Sequence, residues 1–257
     1  MRKHVLIVLA LGALIAVSAV GIATAAGGEK PVTVKVGELE LTANGGFSPK
    51  ALSKTKQTPI ELKASGEVKM TNGSHPPAAR ELIIEGDKNA EVHVKGLPTC
   101  KSGQLQATST QAAEKACGSA VIGEGTVVAQ VAFPEQKPIN VTSKLLLING
   151  GEKGGKITWY AHAFFSNPIS GAIVSTVTIT KHKNGRFGTL TVTKIPQIVG
   201  GSGSIVSFNL KIKKKVGGVN PISAKCTDGK LKVHVEAKFE NGTKASTEIV
   251  RPCTPKG

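Results

Sequence analysis

One stretch of the chain has the spacing of a nucleotide site. In Asn149 to Tyr160, NGGEKGGKITWY, residues Gly150, Gly155 and Lys156 stand as in a phosphate-binding loop, G-x-x-x-x-G-K. Such a loop needs a Ser or Thr after the Lys for Mg²⁺, and a helix whose N-terminus faces the phosphates. Here Ile157 follows Lys156, and Thr158-Trp159-Tyr160-Ala161-His162-Ala163-Phe164-Phe165 is aromatic and strand-like. The glycines are expected to turn the chain between Leu145–Ile148 and Ile157–Phe165, and no nucleotide is expected as a partner.

Hydrolytic signatures are missing as well. The serines of Gly200-Gly201-Ser202-Gly203-Ser204 lack the G-x-S-x-G frame and a following helix. His75, His93, His162, His182 and His234 show no ligand spacing and read as strand or loop residues, so no metal and no cofactor is expected. The only aspartates are Asp87 and Asp228, and no glutamate pair stands out as a paired-carboxylate site. The expectation is a protein without a catalytic residue.

What remains is surface. The chain of 257 residues has a formal charge of +16, carried almost wholly by Lys; past the first few residues the arginines are Arg80, Arg186 and Arg251 alone. Arg is the side chain for bidentate phosphate recognition, so this composition argues against a specific nucleic-acid site and for diffuse attraction to anionic polymers. In Lys211-Ile-Lys-Lys-Lys215, period two puts Lys211, Lys213 and Lys215 on one strand face, a candidate anion patch or a solvated sheet edge.

The elements that must carry these residues are strands. Val32, Val34 and Val36 alternate with polar residues, and Glu38 to Thr42 continues the alternation. NGGFSPKALSKTKQTP reads as a polar loop, and Ile60–Ala64 as the next strand. Asn184-Gly185 and Asn241-Gly242 are hairpin turns, since both residues tolerate positive φ. A two-residue turn at Asn184-Gly185 pairs Lys183 with Arg186. It buries Val177, Ile179, Leu190 and Val192, and aligns Thr176, Thr178 and Thr180 with Thr193, Thr191 and Thr189 as a flat ladder that could dock on a polysaccharide. Trp159, Ala161 and Ala163 share one face of their strand, and Tyr160, His162 and Phe164 the other. The one helical segment is Gln111–Ala116, with Thr110 as its N-cap. Short strands with turn signals about every ten residues indicate an all-β fold, one β-sandwich of antiparallel strands or two packed ones, with one short disulfide-closed helix.

Arg2 and Lys3, an apolar run from Val5 to Ile22 and Ala23-Thr24-Ala25 form a secretory signal peptide, residues 1–25, leaving a secreted domain of residues 26–257. An uncleaved membrane anchor is the alternative, and is the one membrane contact expected. Cys100, Cys117, Cys226 and Cys253 are even in number, which in an exported chain argues for disulfides. Cys100–Cys117 and Cys226–Cys253 are the favoured pairs because each closes a short loop, worth about 3 kcal/mol in chain entropy.

GGFSPKALSKTKQTPIEL, NGSHPPAARELIIEGDKNAEVHVKGLPTC, the Cys100–Cys117 segment, GGSGSIVSFNL and the closing VRPCTP together resemble a group of secreted bacterial proteins with no assigned activity. The resemblance implies export and a bacterial host, and carries no catalytic or binding residue across. The reading is of a secreted or envelope-associated, non-catalytic binding protein that adsorbs to anionic cell-wall polymer or polysaccharide. The alternatives are a secreted hydrolase of envelope polymers, marked by a cleft with two Glu or a His beside a Ser, and a protein–protein module whose partner covers the aromatic strand.

Overall fold

A computed structural model describes residues 29–167 and 170–257. The expected signal segment, residues 1–25, lies outside the described residues. The chain runs through β1 (Val32–Val36), β2 (Leu39–Ser48), β3 (Ala51–Ser53), β4 (Thr58–Pro59), β5 (Glu61–Met70), β6 (Ala79–Asp87) and β7 (Ala90–Val92) to the helix α1 (Thr110–Cys117). It continues through β8 (Val121–Val131), β9 (Ile139–Lys153), β10 (Lys156–Phe165), β11 (Gly171–Asn184), β12 (Phe187–Lys194), β13 (Gly203–Ile212), β14 (Ile222–Ala224), β15 (Lys230–Phe239), β16 (Lys244–Pro252) and β17 (Thr254–Lys256).

Twelve strands form one antiparallel sheet in the order β1-β2-β5-β13-β8-β9-β10-β11-β12-β6-β15-β16. The sheet curls until β16 lies alongside β1 and β2, so it is a nearly closed barrel and not a sandwich. Alternation cannot separate the two, because one face is buried in both. The register fixes the faces: Trp159 and Ala161 of β10, opposite Val177 and Ser175 of β11, point inward, while Lys194, Glu81 and Lys238 form an outward row across β12, β6 and β15. Apolar inside and charged outside is the reverse of barrels that face lipid.

A barrel this wide needs more than its own side chains inside. A three-stranded sheet, β4-β14-β7, closes one end, here the plugged end. Ile222 and Ala224 of β14 pack with Leu147, Trp159, Ile179 and Ile212 of the wall. The bonded Cys226–Cys253 pair sits in that same cluster and ties the plug to the end of β16. Burying a large apolar side chain such as Trp159 or Ile179 contributes about 1.5–3 kcal/mol. The opposite end is filled by Phe165, Ala129 and Leu145 on one side and by Leu39, Leu41 and Phe239 on the other.

Outside the barrel, α1 lies on β9 and β10. Ser109, one residue before the expected cap, accepts a bond from the Ala112 N–H at 3.2 Å. Ala113 and Cys117 meet Leu146 and Ile148, with Tyr160 and Val174 against them, and the Cys100–Cys117 bond holds the helix down. The outward aromatic face is thus covered by the chain's own helix, where the interaction-module reading placed a partner.

Several sequence expectations change. Val32 to Thr42 is a hairpin, with Val36 opposite Leu39 around Gly37 at φ +58. NGGFS, Asn44 to Ser48, is the second half of β2 and not a loop; at Gly46 a side chain would strike Glu29. The phosphate-loop look-alike is the β9–β10 hairpin, turning at Gly154 and Gly155, both with positive φ.

The Arg251 guanidinium closes the seam. Buried on β16, it donates to the Gly45 carbonyl, to Asn44 Oδ1 at 2.6 Å and to the Lys30 carbonyl at 3.1 Å, with Glu29 at 3.3 Å. It joins β16 to β2 and to the lead-in of β1, where the backbone ladder is interrupted. Arg251→Ala is expected to cost about 2–4 kcal/mol in urea unfolding, and Arg251→Lys most of that, since an ammonium cannot span these acceptors. A loss below about 0.5 kcal/mol for the alanine variant contradicts the seam's dependence on this residue.

Candidate functional site

The plug sheet has two faces. On β14, Ile222 and Ala224 face the core, so Ser223 between them faces out. His93, just past β7, is fixed by its N–H to the Pro221 carbonyl, and its Nε2 lies 2.7 Å from Ser223 Oγ. The two border an open hollow of about 310 Å³ lined by Gln57, Pro59, His93, Val219, Asn220 and Ser223. A His beside a Ser is the arrangement that the hydrolase alternative required. Glu91, however, is nearest the same nitrogen, Nε2, at 3.7 Å. A carboxylate that orients a catalytic imidazole bonds the other nitrogen, Nδ1.

A second His–Ser pair is structural. Ser204 is buried and donates to the Pro76 carbonyl at 2.7 Å, so at 3.1 Å it accepts from His75 Nε2 and has no proton left to give. His162 is fully buried under α1; burial lowers its pKa, partly offset by its bond to the Thr108 carbonyl, and it stays neutral. His182 and His234 flank one carboxylate, at 3.1 Å from Glu85 Oε1 and 3.0 Å from Glu85 Oε2, and Asn184 donates to Oε1 at 2.9 Å. Each histidine takes a separate oxygen of the carboxylate that lies between them, a hydrogen-bonded arrangement across β11, β6 and β15. No cluster suited to a metal ion is found among the described residues.

Both aspartates serve the fold. Asp87 is buried and accepts from the Asn89 N–H at 2.9 Å, Arg186 Nε at 2.7 Å and the Lys232 N–H at 2.8 Å. Asp228 binds the other edge of Arg186, raising the Arg186 pKa, and its own is lowered in return. Arg80 pairs with Glu240. With Arg251 at the seam, Arg80, Arg186 and Arg251 are all engaged in structural bonds.

The expected surface sites are rearranged. Arg186, held by Asp87, turns the β11–β12 hairpin at Gly185-Arg186, and Asn184, held by Glu85, stays in its strand opposite Phe187. The register moves by one: Thr176, Thr178 and Thr180 oppose Lys194, Val192 and Leu190, and Thr193, Thr191 and Thr189 oppose Val177, Ile179 and Lys181. The threonines therefore lie on two faces, and the six-threonine ladder does not form. The lysine patch is also dispersed. β13 ends at Ile212 inside the sheet, between β5 and β8. Lys211 pairs with Glu61 at 2.8 Å, Lys213 with Glu124 at 2.6 Å, and Lys215 stands on the following loop.

A different cationic surface replaces it. At the plugged end, the connection 49–60 carries Lys50, Lys54 and Lys56, and 213–229 carries Lys213, Lys214, Lys215 and Lys225 against Asp228. Lys88, Lys95 and Lys256 stand at the same end, with Lys153 and Lys156 on the β9–β10 turn and Glu91 and Glu152 among them. The connections at the opposite end, 37–38, 71–78, 132–138, 195–202 and 240–243, hold Lys137 against Glu38, Glu135 and Glu240. Lys54, Lys56, Lys214 and Lys215 are exposed, and none has an ion-pair partner among the described residues. Sequence reasoning missed this end because the strand order that gathers these loops is not written locally.

Comparison with protein-family models, curated proteins and solved structures finds no match for the chain.

The Glu85 carboxyl is held below its ordinary pKa of 4.5, first by the Asn184 amide and further by His234 and His182, against an opposing effect of burial. A carboxyl with a lowered folded pKa stabilises the fold above its unfolded value, and that contribution is lost as pH falls through the folded value. Glu85→Gln should therefore lower stability at pH 7 and flatten the decline below pH 4.5 in urea titrations. An acid limb as steep as that of the wild type contradicts this.

Proposed function

We propose that the protein is an exported, envelope-associated binding protein that adsorbs an anionic wall polymer or polysaccharide through its plugged end, without a chemical step. The supporting observation is the segregation of charge: lysine-bearing connections crowd one end of the barrel, and the described connections at the other end carry a slight acidic excess. Two disulfides fit an oxidising compartment. Secretion rests on the leader-like residues 1–25 and on the resemblance to secreted bacterial proteins. A single exposed charge contact contributes at most about 1 kcal/mol, so affinity has to come from many lysines engaging a repeating anion. With Arg80, Arg186 and Arg251 occupied, the surface of the described residues offers point charges and no bidentate forks. That suits a polymer of spaced charges better than a single phosphate ligand.

The His93–Ser223 contact favours a second reading, hydrolysis of an envelope polymer bound at the same end. It ranks lower because Glu91 lies against the nitrogen that faces the serine.

Replacing Lys54, Lys56 and Lys215 together with Glu should weaken binding to a polyuronate by about tenfold or more, whereas Lys137→Glu should leave it within about twofold. Wild-type binding should weaken as NaCl rises from about 0.05 to about 0.5 M, because exposed charges are screened. Salt-independent binding, or equal losses from reversal at either end, contradicts the reading.

A further inference from the structure

The hollow beside the lysines has no carboxylate, Lys or Arg in its lining. Its lining consists of two amides, a hydroxyl, an imidazole and two apolar walls, from Gln57, Asn220, Ser223, His93, Pro59 and Val219. At about 310 Å³ it matches the small end of ligand sites. Lys56 directly precedes Gln57, and Lys225 follows Ser223 by two residues, so cationic loops border a polar floor.

We propose that this hollow seats one glycosyl unit of the bound polymer, which makes the ligand an anionic polysaccharide and not a bare polyphosphate. The proposal rests on the polymer-binding reading and specifies its ligand. Sugar hydroxyls both donate and accept, and the C–H faces of the ring are apolar. The amides, Ser223 and His93 match the first property, and Pro59 and Val219 the second. One group in the lining is already short of a partner. Gln57 Oε1 is shut from water with no donor, and the Gln57 Nε2 bond to the Asn89 carbonyl is long, at 3.4 Å. A buried acceptor in that condition is costly, and a ligand hydroxyl relieves it once the amide turns toward the hollow. A phosphate chain presents only acceptors and leaves the same oxygen unpaired. The lysines then hold the charged groups of neighbouring units, and the hollow selects what lies between them.

The test compares decagalacturonate with inorganic polyphosphate of equal charge, by calorimetry on the wild-type chain and on Gln57→Leu/Asn220→Leu. The wild type should bind decagalacturonate about tenfold more tightly, the effect of one buried polar group paired or unpaired. The double variant should bind the two polymers within about twofold of each other, with its polyphosphate affinity unchanged, which also reports that it is folded. Equal wild-type affinities overturn the subsite, as does a preference that survives in the double variant. Failure of the wild type to bind either polymer overturns the polymer-binding reading itself.

Discussion

The controlling constraint is width. About eight strands close a barrel that their own side chains fill, and this sheet has twelve. The interior has to be filled by additional chain. The segments 49–60, 88–97 and 213–229 fold in at one end and supply β3, β4, β7 and β14, with Ile222, Ala224, Val94 and Leu97 entering the wall's cluster. The plug is therefore a requirement of the fold, and it places these lysine-bearing segments side by side. Charge segregation follows from the way the core is filled.

Polar bonds at buried positions keep the plug in register with the barrel. Asp87 joins the end of β6 to the β11–β12 turn through Arg186 and to β15 through the Lys232 N–H, while Asn89 holds Thr227. Cys226–Cys253 adds a covalent tie. Breaking any one buried ionic partner leaves the other uncompensated, which costs more than the pair contributes in place. The few Asp and Arg of the described residues are thus explained by structure, and Lys is left for the surface.

Local pattern carried much of the fold. Alternation marked the strands from β8 to β12, even cysteines with short spacing marked the disulfide loops, and Asn241-Gly242 marked the β15–β16 hairpin. The hairpin at Gly37 was also written, as a change of the apolar positions from even to odd between Val36 and Leu39. Other features lay outside local reach. Asn184-Gly185 has the stronger turn propensity, yet Arg186 is pulled to Asp87 from 99 positions away, and one residue of slip moved every β12 threonine to the other face. His93 and Ser223 are 130 positions apart, so the hollow they border left no local signal.

The central claim is that the plugged end is the surface that meets a polyanion. Amine acylation footprinting tests it most directly, with each lysine's reactivity read by mass spectrometry with and without saturating polyuronate. The account expects Lys54, Lys56, Lys214 and Lys215 to be protected while Lys137 and Lys244, at the other end of the barrel, react as before. Protection spread evenly over both ends, or confined to Lys137 and Lys244, would contradict it.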